Sequence, residues 1–351
     1  MDKTNPMILQ CPMPTLDFDV ITLGHGGGGL LTNRLLDKVI FDLFHNPLLD
    51  SRHDGAVLDL QGKTAFSTDS FVISPVFFPG GNIGELAING TVNDVAMCGA
   101  KPRYLSLGLI LEEGLKMEEL WQILVHAKAA ADHAGVHIVT GDTKVVERGK
   151  GDKVFINTTG VGEMHPAAEI SSANVQAGDK IIVSGPIASH GMAIMCSREE
   201  LDFESAIESD TRALNHLVWK LLEKYGKEIH LMRDPTRGGL AATLNEVARD
   251  THLGIEIKEE NIPVLDVVQN ACEVLGLDPL YVANEGVFVA FAPASIADEV
   301  AKTIGEEKEG QGAAVIGTVV EDYPQKVVLQ SLLGGKRVVN MQVGEQLPRI
   351  C

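Results

Sequence analysis

The chain has 351 residues, 45% of them apolar, which is enough to build cores in two ordinary domains. Its 29 basic and 48 acidic side chains leave a formal charge of -19, with no local basic cluster to reverse the sign, so nucleic acid is excluded as an expected partner. Five widely spaced cysteines without a C-x-x-C pair, no secretory pattern in residues 1–30 and no apolar stretch of membrane-spanning length predict a reduced, soluble, cytoplasmic protein with no membrane partner.

In chain order, residues 1–23 read as an irregular, mobile lead-in holding Pro6, Pro12 and Pro14, followed by the glycine run Gly26-Gly27-Gly28-Gly29. Residues 30–43 carry apolar side chains at helical spacing, and 65–73 have the β-branched and aromatic content of a strand. Asn82 is placed to cap a helix that Gly99 and Pro102 would end. A strand over 104–111, an amphipathic helix over 117–134 and strands over 136–140 and 154–162 complete a first α/β unit spanning 24–165. A segment rich in Ala, Ser and Asn separates it from a second unit, 175–333. That unit has strands at 180–184, 230–232, 255–258 and 287–291 and helices at 214–225, 239–250 and 265–275. Several strands adjoin without a helix between them, which predicts α/β domains of the α+β type with sheets covered on one face rather than a doubly wound sheet. Residues 334–351, with Gly334, Gly335, Gly344 and Pro348, show little periodicity and read as a mobile tail ending in Cys351.

Five segments set an aspartate at a strand end or turn among small or hydroxyl residues: His53-Asp54-Gly55, Ser67-Thr68-Asp69-Ser70, Asn93-Asp94-Val95, Thr140-Gly141-Asp142-Thr143-Lys144 and Arg233-Asp234-Pro235-Thr236-Arg237-Gly238-Gly239. One alone reads as turn or cap chemistry. Five together suit Mg2+ bridging phosphates, which takes hard oxygen ligands from separate segments, while a glycine run lets backbone N–H groups approach a triphosphate. The run is neither a Walker A loop nor a dinucleotide fingerprint, since no Gly-Lys-Ser/Thr follows and no βαβ unit surrounds it.

These segments, with Pro79-Gly80-Gly81-Asn82-Ile83-Gly84, Asn284-Glu285-Gly286 and the ending Pro348-Arg349-Ile350-Cys351, occur in the order found in the HypE family of hydrogenase maturation factors, which the chain resembles along nearly its whole length. HypE belongs to the PurM-like, AIR synthase-related superfamily. The resemblance implies an N-terminal ATP-binding and dimerising domain, a C-terminal α+β domain, and ATP with Mg2+ in the cleft between them. It implies that a carbamoyltransferase, HypF, loads a carbamoyl group onto the sulfur of Cys351, that ATP-dependent dehydration turns it into a thiocyanate, and that the cyanide passes to iron on a HypC-HypD complex. Carried onto this sequence, the resemblance makes Asp54, Asp69, Asp94 and Asp234 metal ligands. Gly26, Gly27, Gly28, Gly29, Thr68, Asp69, Asn93, Asp94, Asp142 and Thr143 become nucleotide contacts, and Cys351, Glu285, Lys144 and Asp94 the catalytic set, with Glu285 removing a proton from the amide.

A chain of about 17 steps between Gly334 and Cys351 would span some 56–60 Å if extended, enough for one thiol to visit another enzyme and its own cleft. A terminal thiol whose neighbouring carboxylate raises its pKa is a poor nucleophile but an adequate carrier. Two alternatives share the aspartates: a selenophosphate synthetase, which resembles a case with a reactive cysteine in the glycine-rich loop, where this chain has none, and an aminoimidazole ribonucleotide synthetase, which has no need of Cys351. A third, a non-catalytic scaffold docking partners through its tail, would show no nucleotide dependence.

Overall fold

The computed structural model describes residues 12–15, 18–52, 55–199, 207–342, 344 and 349–351; Cys11, Asp54 and Pro348 lie outside the described residues. The lead-in is anchored at its end. Ile21 is fully buried, donates its N–H to the Leu115 carbonyl at 2.7 Å and accepts from Gly114 at 2.8 Å. These contacts tie down the last residues of a segment whose composition reads as loose.

The predicted helix over 30–43 is present as α1 (Leu30–Leu35), continued by a π-helical stretch (Leu36–Phe41) and a last turn (Asp42–Phe44). Next come β1 (Thr64–Phe71), a small hairpin of β2 (Phe77–Phe78) and β3 (Gly81–Asn82), α2 (Ile83–Met97), β4 (Ala100–Glu112), α3 (Met117–Ala134), β5 (His137–Val146) and β6 (Val154–Met164). The four long strands form a sheet in the order β1-β6-β4-β5, antiparallel except for β4 and β5, which α3 connects. One face packs on α2 and α3, while the other carries Phe66 at 68% and Ile110 at 44% exposure.

Asn82 caps α2 as its sequence predicts, accepting from Gly84 N at 2.8 Å, and Gly99 at φ +84° follows its C-terminal end. This helix is buried on nearly every side, so it has no polar face. Its glycines permit that. A Cβ on Gly84 would lie 2.1 Å from the Ile123 carbonyl oxygen of α3.

The second half holds β7 (Lys180–Val183), α4 (Ser189–Arg198), α5 (Asn215–Tyr225), β8 (Leu231–Arg233), α6 (Gly239–Thr251), β9 (Gly254–Lys258), α7 (Asp266–Leu275), β10 (Val289–Ala292), α8 (Ala297–Gly305), β11 (Ala314–Val320), β12 (Val327–Gln330) and β13 (Lys336–Val339). The strands form one sheet in the order β13-β12-β9-β11-β7-β10-β8. At the β7–β10 end both faces are covered: Val289 and Phe291 join one apolar cluster, and Ala290 and Ala292 join a second with Leu217, Leu221 and Ile304 of α5 and α8. The expectation of one covered face therefore holds for the first sheet and not here, because these strands are continuous apolar runs.

The structure also shortens the expected tail. Lys336–Val339 pairs antiparallel with β12, across a turn closed by Ser331 N to the Gly335 carbonyl at 2.7 Å. Residues 349–351 return to the domain junction, where Ser74 N donates to the Arg349 carbonyl at 3.3 Å and Val72 N to a terminal carboxylate oxygen of Cys351 at 3.0 Å, just beyond β1. Ile350 and Cys351 are buried.

Candidate active site at the domain junction

Ser67 and Asp69 are two residues apart on β1, so they share the face toward α2. The Ser67 hydroxyl donates to Asp94 Oδ2 at 2.8 Å in the last turns of α2. Asp234 reaches the same place from the loop between β8 and α6. Burial, above all, raises the pKa of Asp94; the charge of Asp69 raises it further, against hydrogen bonds from Ser67 and Asp234 that hold it down. Asp234 is pushed up to about 7 by burial and then by the charge of Asp94. Asp69 is raised by burial, opposed by the Ser70 N–H and by the guanidinium of Arg237. Three acidic groups from two domains thus crowd a desolvated space, where their ionised forms would repel one another.

Among the described residues no three acidic, His or Cys side chains close tightly enough around one point to hold a metal ion unaided. The donor set nonetheless fits Mg2+, which keeps several waters and takes one or two carboxylates together with substrate phosphate oxygens. A cation is also what relieves such repulsion.

Glu285 is buried against this cluster, and its pKa is raised well above the carboxylate range by burial, then by the charges of Asp210, Asp234, Asp69 and Asp94. A Cβ on Gly90 of α2 would lie 3.9 Å from Glu285 Oε2 and 2.8 Å from the Phe71 ring. The loop is built for this placement. Asp210 accepts from the backbone N–H groups of Glu285 and Gly286, each at 3.2 Å, and Asn284 accepts from Ala188 N at 2.7 Å while donating to the Pro235 carbonyl at 2.7 Å. Any side chain at Gly286 would strike the Asp210 carbonyl.

Two predicted nucleotide contacts are placed otherwise. Asn93 is buried, with its amide donating to the Arg212 carbonyl at 3.0 Å and its oxygen accepting from Leu214 N at 2.8 Å, so it fastens α2 to the second domain. Thr68 faces away from α2, bonding the Thr159 hydroxyl at 2.9 Å.

The glycine run, Asp142, Thr143 and Lys144 gather at a different place. Gly26 packs directly on Val145 of β5 and would admit no Cβ, Gly28 N donates to Thr32 Oγ1 at 3.0 Å, and Gly27 and Gly29 border open space. Beneath lies a pocket of about 200 Å3 lined by Leu36, Ile40 and Phe41 of the π-helical stretch, Leu107, Ile138 and Thr143, with Asp142 and Lys144 at its rim. Both rim groups are well exposed and paired at 2.6 Å, which lowers the Asp142 pKa. The sheet register aligns Thr68, Thr159, Ser106 and Thr140, and beside them Ser70, Asn157, Gly108 and Asp142, across the open face. Asp142 and Lys144 therefore sit on the opposite face and edge from Asp69, three strand spacings or about 14 Å away.

The sequence reading passes over Asp210, Arg237, His190 and Arg198. Arg237 lies within the quoted motif and faces Asp69; the other three carry no local pattern that marks them.

Two mixed sheets, with acidic groups from both halves meeting at their junction, define a two-domain protein of the AIR synthase type. Models of the AIR synthase related protein N-terminal and C-terminal domains match residues 52–164 and 176–330. The chain is 49% identical over 332 residues to the carbamoyl dehydratase HypE of Azotobacter vinelandii, covering 94% of this chain and 97% of that one. It superimposes on a crystal structure of the hydrogenase maturation protein HypE in complex with ATP with a TM-score of 0.91 at 46% identity, over 94% of this chain and 99% of the other. It also superimposes on the crystal structure of a HypE-HypF complex with a TM-score of 0.78 at 42% identity, over 88% and 99% of the respective chains. The chain belongs to the HypE family of carbamoyl dehydratases that act in hydrogenase maturation. Among the described residues no helix is long and apolar enough to cross a membrane.

Proposed function

We propose that this protein uses Mg-ATP to dehydrate a thiocarboxamide carried on Cys351 to a thiocyanate, the source of the cyanide ligand of [NiFe]-hydrogenase iron. The observation that carries the reading is the meeting, at one junction, of the Cys351 backbone beside Val72, the buried Glu285 next to Phe71 and Gly90, and the Asp69, Asp94 and Asp234 cluster.

In the reaction the carboxamide oxygen attacks the γ-phosphorus of ATP, the bond to ADP breaks, and the oxygen becomes part of a phosphate ester. Loss of the two N–H protons and cleavage of the C–O bond then release inorganic phosphate and leave the nitrile. Mg2+ held by one or two of Asp69, Asp94 and Asp234 together with phosphate oxygens would neutralise phosphate charge during transfer. Positive charge at that cluster would draw the Glu285 pKa down and so equip it to accept the amide proton. Arg237 adds a cation beside Asp69.

Asp142, Lys144 and the glycine run complete the site in a homodimer, where a second copy brings its β5 edge to the aspartate edge of the first. The open sheet face with Phe66, Ile110 and its rows of hydroxyl groups supports such pairing. The pocket under the glycine run suits the apolar body of a nucleoside. The proposal extends to HypF as the carbamoyl donor, a HypC-HypD complex as the acceptor, and the cytoplasm as the place of action.

The test is the mass of the C-terminal peptide after incubation with the carbamoyltransferase and carbamoyl phosphate, before and after Mg-ATP. A carbamoyl adduct on Cys351 that loses one water only when ATP is added is the expected result; an adduct unchanged by ATP would overturn the reading.

A further inference from the structure

Residues 349–351 are held by a set of groups that the reaction itself does not use. His190, at the start of α4, is fully buried, with Nε2 2.8 Å from the Ile350 carbonyl and Nδ1 2.8 Å from Ser209 Oγ. A carbonyl can only accept, so Nε2 carries the proton and Nδ1 accepts from the Ser209 hydroxyl. Ser209 is fixed in turn by its N–H on the Pro79 carbonyl at 2.8 Å and by accepting from Thr211 N at 3.1 Å. The Phe78 ring meets the imidazole edge-on, and burial keeps the ring neutral.

At the other end of α4, Arg198 reaches the same segment. Its Nη2 donates to the Arg349 carbonyl at 2.6 Å and its Nε to the Ser74 carbonyl at 2.6 Å, so one guanidinium joins the terminal segment to the strip it lies on. Arg349 returns a bond from Nε to the Val72 carbonyl at 2.9 Å and pairs with Asp152 at 2.6 Å.

We propose that His190 and Arg198 are positioning residues which seat the Arg349–Ile350–Cys351 backbone against residues 72–74 and so deliver the Cys351 sulfur to the junction site. One face of α4 supplies a grip on successive carbonyls, at 349 and 350, and the strip after β1 supplies a donor to the terminal carboxylate of Cys351. With the segment withdrawn, the His190 N–H would remain in an apolar wall without its acceptor, which favours the seated state. The role deepens the proposed dehydration and rests on it for its purpose, but the seating itself can be measured without any turnover.

The experiment is alkylation of the full-length protein with a bulky maleimide, following Cys351 by peptide mass and using the exposed Cys98 of the same molecule as the internal clock. In the wild type the buried Cys351 should react more slowly than the exposed Cys98. Arg198→Ala and His190→Phe should each speed Cys351 by about tenfold relative to Cys98, the scale of one lost buried or charge-assisted hydrogen bond. His190→Gln, which keeps a donor near the Nε2 position, should restore most of the protection, an outcome that loss of packing alone would not give. If His190→Phe does not fold, Arg198→Ala and Arg198→Lys decide alone. Cys351 protection equal to wild type in these variants would overturn the seat. On carbamoylated protein the same variants should lower kcat and leave the KM for ATP unchanged. A wild type that shows no ATP-dependent loss of water would sink the dehydratase reading while leaving the alkylation result standing.

Discussion

The aspartate cluster at the junction, drawn from both domains, and the Asp142–Lys144 rim of the glycine pocket both rest on acidic side chains, yet they are in opposite electrical states. In the cluster, burial and like charge push the carboxyl pKa values up; at the rim, an exposed lysine pulls Asp142 down. The cluster has charge to be neutralised, and the rim has already paired its own. An anion carrying a cation satisfies the first, and only a neighbour that competes with Asp142 can recruit Lys144. The contrast shows that acidic residues on the two edge strands of one sheet serve different roles according to the face and edge on which they fall.

The sharpest break with this comparison would come from Asp94. Asp94→Ala should lower turnover by about a hundred- to a thousandfold, the scale of one electrostatic group lost from a reacting centre, while Cys351 is still carbamoylated. Normal dehydration by that variant would remove the cluster from the mechanism. Next in size is a complementation. Asp94→Ala and Lys144→Ala should each be nearly inactive as pure dimers, whereas a mixed dimer holds one site with both halves intact and should recover about half of wild-type activity. No recovery would return both groups to a single chain.

A smaller effect lies in stability against pH. For Asp234 the folded value of about 7 stands above the ordinary 3.8, so the folded state holds its proton more tightly. That contribution is present below the ordinary value and is lost as pH rises through the window up to about 7. In chelator, wild type should therefore lose Tm relative to Asp94→Asn across this window, because the substitution removes the charge that, after burial, does most to raise Asp234. Mg2+ with nucleotide should narrow the gap, and parallel Tm curves for the two proteins would show that the carboxylates do not interact. The smallest change concerns the helix beneath the cluster. Gly84→Ala places a methyl 2.1 Å from the Ile123 carbonyl oxygen, and urea unfolding should show a loss of about 1–3 kcal/mol.

How far the sequence discloses the molecule follows from the same physics. Asn82, Gly99 and the amphipathic face of α3 are local signals and are placed as read. α2 between those caps is apolar nearly all round, so its caps and not its periodicity reveal it. α4 passes unread because seven of its ten residues are buried and Gly191 interrupts it, leaving no stripe to see. Only Val339 of β13 is buried, so its alternation is too faint to separate from a tail. At the site, the aspartates are legible because each sits among glycines and hydroxyls. Their partition between two faces of one sheet is not, since register and strand order are set by pairings between residues as distant in sequence as Asp69 and Thr158. Asn93 stands beside Asp94 in the motif, but one step along a helix turns its amide to the second domain.

The hydrogen bonds described above for the last three residues end on main-chain oxygens or on the Arg349 guanidinium. Those atoms stay the same whether the sulfur bears a hydrogen, a carboxamide or a nitrile. These contacts are therefore indifferent to cargo, and through them an empty, a loaded and a spent arm are held alike. In the proposed cycle, order would then come from the cleavage of ATP and from the partners that load and unload the arm, while these contacts would only set how long each visit lasts.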